Sequence, residues 1–162
     1  MILSIIIPVF NEEKTLLKSL ESVKNINSKS FEHEIIVVND GSTDNTKSIL
    51  ENNKSLYNKL LTNETNRGKG FSIKRGIIEA KGEYIICHDA DLEYNPKDIL
   101  KFEKIFLDFD ADGILGSRFN YADYTRSHNI LNKFANHFMT LMFNLLYNVF
   151  IHRLILASLS HF

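Results

Sequence analysis

The segment Ile2–Val9 reads ILSIIIPV, apolar save for Ser4 and dominated by β-branched isoleucine. A strand with no polar face has nothing to turn towards water, so it must be covered on both sides, as strands of parallel sheets are. The rest of the chain supplies the cover. Leu16, Leu17, Leu20 and Val23 lie at helical spacing, with Asn11 as the expected cap of their helix. Glu34–Val38 reads as a second strand, and a helix follows through Ile49, Leu50 and Leu56. Lys59–Thr62 is a short third strand, Phe71–Ala80 a helix with Gly82 as its C-terminal signal, and Glu83–Cys87 a fourth strand. Asn95-Pro96 opens another helix, with proline in the first turn and Ile99, Phe102, Ile105 and Phe106 facing inward. Asp112–Ser117 reads as a further strand. Strands alternating with helices predict an α/β, Rossmann-like, mostly parallel sheet with helices on both faces.

The 162 residues suffice for one domain. A formal net charge of -1 gives no basic excess for nucleic acid, which is not an expected partner. The single cysteine, Cys87, cannot form an internal disulfide; it reads as a buried strand residue and suits a reducing compartment. Met1–Pro8 lacks a basic leader and cleavage site, and no apolar run reaches a membrane span. A cytoplasmic location is expected, with peripheral attachment to the membrane's cytoplasmic face left open.

Ligands of open parallel sheets bind beyond the carboxyl ends of the strands. Asn11, Asp40 and Asp89 all fall at such ends, so the clusters around them should meet in one crevice. In His88-Asp89-Ala90-Asp91-Leu92-Glu93, an extended backbone would put Asp89 and Asp91 on one face, able to close on a small cation. Such an all-oxygen pair suits Mg²⁺ or Mn²⁺ rather than zinc, a cation that keeps positions for substrate phosphates. The same motif also occurs as a plain solvated turn. Asn11 and Glu12, beside a helix start, can hold a base or ribose or simply cap the helix. In Asn39-Asp40-Gly41-Ser42-Thr43-Asp44, Asp40 is placed to accept from a base or ribose, and Gly41 to let the backbone pass close to a ligand. Ser42, Thr43 and Asp44 are equally good local caps.

The loop Asn66-Arg67-Gly68-Lys69-Gly70 is cationic and ends at a helix N-terminus, a natural phosphate site, though not a P-loop. Arg118, in Gly116-Ser117-Arg118, can clamp a phosphate; Arg126 and His128 follow it. His33, His88 and His137 read as structural.

Taken in order, PVFNEE, NDGSTDNT, NRGKG, HDADLE and GSRF resemble the family 2 nucleotide-sugar glycosyltransferases, nearest to the polyprenyl- or dolichyl-phosphate sugar synthase branch. The resemblance runs from about residue 1 to about residue 150. It implies a GT-A fold and an inverting transfer from a UDP- or GDP-sugar to a polyprenyl phosphate. By matching position, it implies that Pro8, Asn11 and Glu12 line the nucleoside pocket with Asp40 on base or ribose. Lys69 would lie near the diphosphate. Asp89 and Asp91 would bind Mg²⁺ or Mn²⁺, with Glu93 a further ligand or sugar contact. Arg118 would hold the acceptor phosphate, with Arg126 and His128 near the substrate. The catalytic burden would fall on Asp91 and Arg118.

On this footing residues 1–128 form the nucleotide-sugar-binding core and 129–162 an apolar helix and tail. The stripe Leu131, Phe134, Phe138, Leu141, Met142, Leu145, Leu146 and Val149 could meet a membrane interface, or pack on the sheet or a partner subunit. The chain departs from the family twice. Asn39 stands where an aspartate is usual, and the tail Ile155–Phe162 matches no family segment, as in a truncated member. That departure raises the alternative of a nucleotide-binding remnant without transfer. A nucleotidyltransferase would instead carry a glycine-rich basic run after the first strand, where this chain has Phe10-Asn11-Glu12-Glu13.

Overall fold

A computed structural model describes residues 1–93 and 95–108. They form four strands, β1 (Ile2–Val9), β2 (Glu32–Asn39), β3 (Lys59–Thr62) and β4 (Tyr84–Cys87), and four helices, α1 (Leu16–Lys24), α2 (Thr46–Asn52), α3 (Lys69–Glu79) and α4 (Ile99–Asp108). Short 3-10 turns at Lys54–Leu56 and Pro96–Asp98 follow α2 and precede α4. The strands pair in the order β3-β2-β1-β4, all parallel. Ile5 sits opposite Ile35 on one side and Ile86 on the other. The expected α/β architecture is therefore present in the described residues. The expected strand at Asp112–Ser117, the boundary near residue 128 and the apolar stripe beyond it lie outside them.

Side chains alternate across a strand, so β1 divides its isoleucines between two faces. On one face Leu3, Ile5, Ile7 and Val9 join Ile35 and Val37 beneath Leu16, Leu20 and Val23 of α1, Leu50 of α2 and Ile99 of α4. On the other, Ile6, Ile36 and Val38 pack with Leu61 and Ala80. There α3 lies against the sheet, close enough that its Gly76 faces Ile6. Ile5, Ile6 and Ile7 are all fully buried. Burying such a side chain is worth about 1.5–3 kcal/mol, which is why both faces need helices.

Three local expectations change. The first helix starts at Leu16 with Thr15 as its N-cap, not at Asn11. Gly82 does not terminate α3, which ends at Glu79 with an extended Ala80 behind it. A Cβ at Gly82 would stand 2.7 Å from the Ser4 backbone nitrogen and 2.8 Å from the Ile2 carbonyl oxygen, so close packing on β1 is what requires the glycine. Cys87 is exposed rather than buried, because β4 is the edge of the sheet among the described residues and pairs only with β1. By contrast, Asn95 does open the next helical segment: its side chain accepts from the Lys97 amide, and Pro96 occupies the first turn.

At the amino ends of the strands a second polar cluster ties α4 to the sheet. Glu103 is 4% exposed and accepts from Ser28 Oγ at 2.7 Å, while its other oxygen lies 2.5 Å from His33 Nε2. Tyr84 of β4 and Phe106 of α4 add a tilted ring contact, 4.3 Å between centroids.

Candidate functional site

Because all four strands are parallel, Val9, Asn39, Thr62 and Cys87 end at the same edge of the sheet. The loops that leave those ends carry the polar clusters. Hydrogen bonds tie Asn11 to the loop after β2, Asp40 to the Arg67-Gly68 loop and Lys69 to Asp89, so the clusters meet along one edge as expected.

The loops after β1 and β2 interlock. Asn11 adopts a left-handed backbone (φ 55°), and its side-chain oxygen accepts from the Thr43 amide at 2.8 Å. Its own amide donates to Ser42 Oγ at 3.0 Å. The Glu12 amide donates to Thr46 Oγ1 at 2.9 Å and the Glu13 amide to an Asp44 oxygen at 3.2 Å. In return, the Asn45 amide and side chain donate to Glu13 at 3.1 and 3.0 Å. The Glu12 carboxylate accepts from Thr15 at the start of α1. This is why the helix begins late: the residues that would have capped it at Asn11 are taken by the neighbouring loop. Burial tends to raise the Asp44 carboxyl pKa, but hydrogen bonds from Thr46 and Glu13 outweigh it and hold the group below its ordinary value. Pro8 remains within β1, opposite Val38.

Asp40 is 1% exposed and lies beneath the loop after β3. One carboxylate oxygen accepts from the Arg67 amide at 2.9 Å and from Asn63 Nδ2 at 2.6 Å; the other accepts from the Gly68 amide at 2.8 Å. Asn63, itself buried, also donates to Ser72 and accepts from Arg75 at 2.5 Å. In this arrangement Asp40 is engaged with the chain itself, as the anchor of the Arg67-Gly68-Lys69 loop. Gly41 has the same orientation. Its φ is 70°, and a Cβ there would stand 2.5 Å from the Thr65 carbonyl carbon, so the close neighbour is the same loop. Asn39 is buried too, and its side chain accepts from the Ser42 amide at 3.0 Å.

Lys69 opens α3, just after Gly68 at φ 88°. Its ammonium sits between both oxygens of Asp89, 2.7 Å from Oδ1 and 2.8 Å from Oδ2. The pair is half-buried. Arg67 lies beside it, its guanidinium 4.4 Å from the centre of the Phe71 ring. His88 is buried against β1, its amide donating to the Ile6 carbonyl. Burial lowers its pKa, partly offset by Asp89 and Asp91, and favours a neutral ring.

The acidic motif differs from the extended pair expected. The strand ends at Cys87, Ala90–Asp91 form a turn, and Leu92 adopts a left-handed φ of 63°. Asp91 Oδ1 accepts from the Glu93 amide at 3.0 Å. Among the described residues no group of three or more His, Cys, Asp or Glu side chains is placed to hold a metal ion. A smaller set remains. Asp89 already holds a cation on its two oxygens, the Lys69 ammonium standing where a divalent ion could sit, and an all-oxygen donor set suits Mg²⁺ or Mn²⁺. Arg118, Arg126 and His128 lie outside the described residues.

Asn63, Ser72 and Arg75 are members of the site that no sequence motif marked. Their spacing from Asp40 is set by the crossover, and only the fold brings them together.

The parallel sheet of the described residues, with helices on both faces, is an α/β arrangement of GT-A type. Residues 4–157 match the family described as "Glycosyl transferase family 2", and the chain belongs to that family. It is 36% identical over 134 residues to a dolichyl-phosphate beta-glucosyltransferase of Dictyostelium discoideum, covering 75% of this chain and 41% of that protein. Among solved structures, Staphylococcus aureus TarS (residues 1–349) in complex with UDP superposes with a TM-score of 0.52 at 34% identity, covering 67% of this chain and 32% of that one. A mannosyltransferase of Pyrobaculum calidifontis in complex with GDP-Man and Mn²⁺ superposes with a TM-score of 0.50 at 26% identity, covering 60% and 30%. The chain spans less than two thirds of the length of the curated relatives it matches. No helix among the described residues is long and apolar enough to cross a membrane.

Proposed function

We propose that this chain forms the donor side of an inverting, metal-dependent glycosyltransferase, which moves a sugar from a UDP- or GDP-sugar to a polyprenyl phosphate. The observation that carries the reading is the Lys69–Asp89 pair at the carboxyl edge of the sheet, on a loop anchored by Asp40. A lysine at a helix N-terminus offers a diphosphate both a charge and the positive end of the helix dipole. Pro8 near the end of β1, with Asn11 and Glu12 on the interlocked loops, forms the nucleoside side of the crevice. Asp89 and Asp91 would hold Mg²⁺ or Mn²⁺, which when bound neutralises charge developing on the departing diphosphate. The relatives support the donor and metal: the TarS structure carries UDP, and the Pyrobaculum one GDP-Man and Mn²⁺.

The acceptor is argued from the Dictyostelium relative's name and from chemistry. A phosphate monoester has a second pKa of about 6 and is already a dianion at neutral pH, so it needs no general base. In this reading Arg118 takes that phosphate, Arg126 and His128 contribute to substrate binding, and the apolar stripe from Leu131 meets the lipid. Calorimetric titration with UDP and with GDP, in Mn²⁺ and in chelator, tests the donor side. Metal-dependent binding of one nucleotide, lost in Asp91→Ala with the fold intact, is the expected result. Equal binding with and without metal would sink the metal assignment.

A further inference from the structure

Lys69 has two anionic claimants in this reading. Its ammonium occupies both oxygens of Asp89, the group that takes the metal in the reading above, yet the same ammonium is the group that meets the diphosphate. We propose that Lys69 is a cation placeholder: it blocks the metal position on Asp89 until a nucleoside diphosphate draws it away. The inference rests on the proposed function and adds an order of events to it.

Three observations fix the placeholder. Asp40 grips the amides of Arg67 and Gly68, so the backbone that carries Lys69 is held while its side chain can swing. The space beside Gly68 and Gly70, which flank Lys69, is open. Asp89 and Lys69 are 21% and 30% exposed, so both a metal and a phosphate can reach the pair from solvent. A divalent ion arriving alone must first expel an ammonium from a bidentate carboxylate. When a diphosphate arrives, it offers the ammonium other oxygens and uncovers the carboxylate. Metal and nucleotide then assist each other, and by linkage each raises the other's affinity by the same factor. The arrangement also satisfies Asp89 in the ligand-free chain, where a half-buried carboxylate without a partner would be unfavourable.

The test is Mn²⁺ binding to the 162-residue chain, read from the electron paramagnetic resonance signal of free Mn²⁺, with and without saturating UDP or GDP. Lys69→Met removes the placeholder and should bind Mn²⁺ alone roughly tenfold more tightly than the wild type. Nucleotide should then raise its Mn²⁺ affinity by a smaller factor than in the wild type. Lys69→Gln, which is shorter and polar, should behave alike and serves if the methionine variant does not fold. Lys74→Met removes the same charge from an exposed position further along α3 and should leave Mn²⁺ binding unchanged. If Lys69→Met binds Mn²⁺ alone no better than the wild type, or Lys74→Met improves it equally, the placeholder is wrong while the donor site stands. If the wild type takes no Mn²⁺ even with nucleotide, the proposed function itself fails and takes the placeholder with it.

Discussion

Asp40→Asn keeps the shape of a buried side chain and removes its charge and one of its two acceptors. In the wild type that carboxylate takes three donors: Asn63 Nδ2, the Arg67 amide and the Gly68 amide. Hydrogen bonds to a charged group contribute about 1.5–3 kcal/mol each, against about 0.5–1.5 for neutral ones. In the asparagine variant one bond is lost, because an NH₂ group faces an N–H donor, and the other two become neutral. That suggests a loss of about 3.5–6 kcal/mol. Gly68 is only half-buried and can draw water, which favours the lower end, about 3.5 kcal/mol. For a chain of this size the melting temperature should fall by roughly 7–14 °C. Urea unfolding followed by circular dichroism measures the loss. Amide exchange at Gly68, the amide that loses its carboxylate oxygen, should quicken by more than global destabilisation explains, and more than at Arg67, whose bond becomes neutral. A loss below about 1 kcal/mol would show that the loop does not hang on Asp40.

Three further substitutions probe other parts of the fold. Gly41→Ala forces a Cβ into the Thr65 backbone at a positive φ, and should cost about 2 kcal/mol or more by the same urea assay. Glu103→Ala leaves His33 and Ser28 facing a buried gap; a loss of roughly 3 kcal/mol is expected, with thermal unfolding as the check. For pH, Asp44 has a folded pKa below its unfolded value, so its contribution is complete above about pH 4 and fades as pH falls through the lowered folded value. Comparing Asp44→Asn with the wild type across pH 2–6 should therefore show a gap that closes towards the acid end; a gap constant with pH would contradict the shift.

The strands were the legible part of the sequence, because uninterrupted isoleucine and valine leave a buried parallel strand little alternative; Lys59–Thr62 was read to the residue. The convergence of Asn11, Asp40 and Asp89 was legible too, since parallel strands bring their carboxyl ends to one edge. What escaped was every role set by a distant partner. Asn11 carries cap chemistry, and nothing local reveals that Thr43 and Ser42 will claim it. Asp40 carries ligand chemistry, and nothing local reveals that Arg67 and Gly68, 27 and 28 residues on, will also donate to it. His33 and Glu103, 70 residues apart, carry no mark of pairing. The Asp89–Asp91 spacing invited an extended reading, and the turn at Leu92 defeated it.

The strand order β3-β2-β1-β4 sets a schedule for assembly. β1 precedes both of its neighbours in sequence and lies between them. Its pairing with β2 can form early, but Leu3 meets Tyr84 only after about eighty further residues exist, a loop whose closure must be met before the contact returns anything. On a ribosome adding 5–20 residues per second, the most apolar strand thus waits several seconds with one edge bare. Nascent β1 is then the segment where chaperones should engage and where misassembly should begin, although in the finished fold it is the most thoroughly shielded strand.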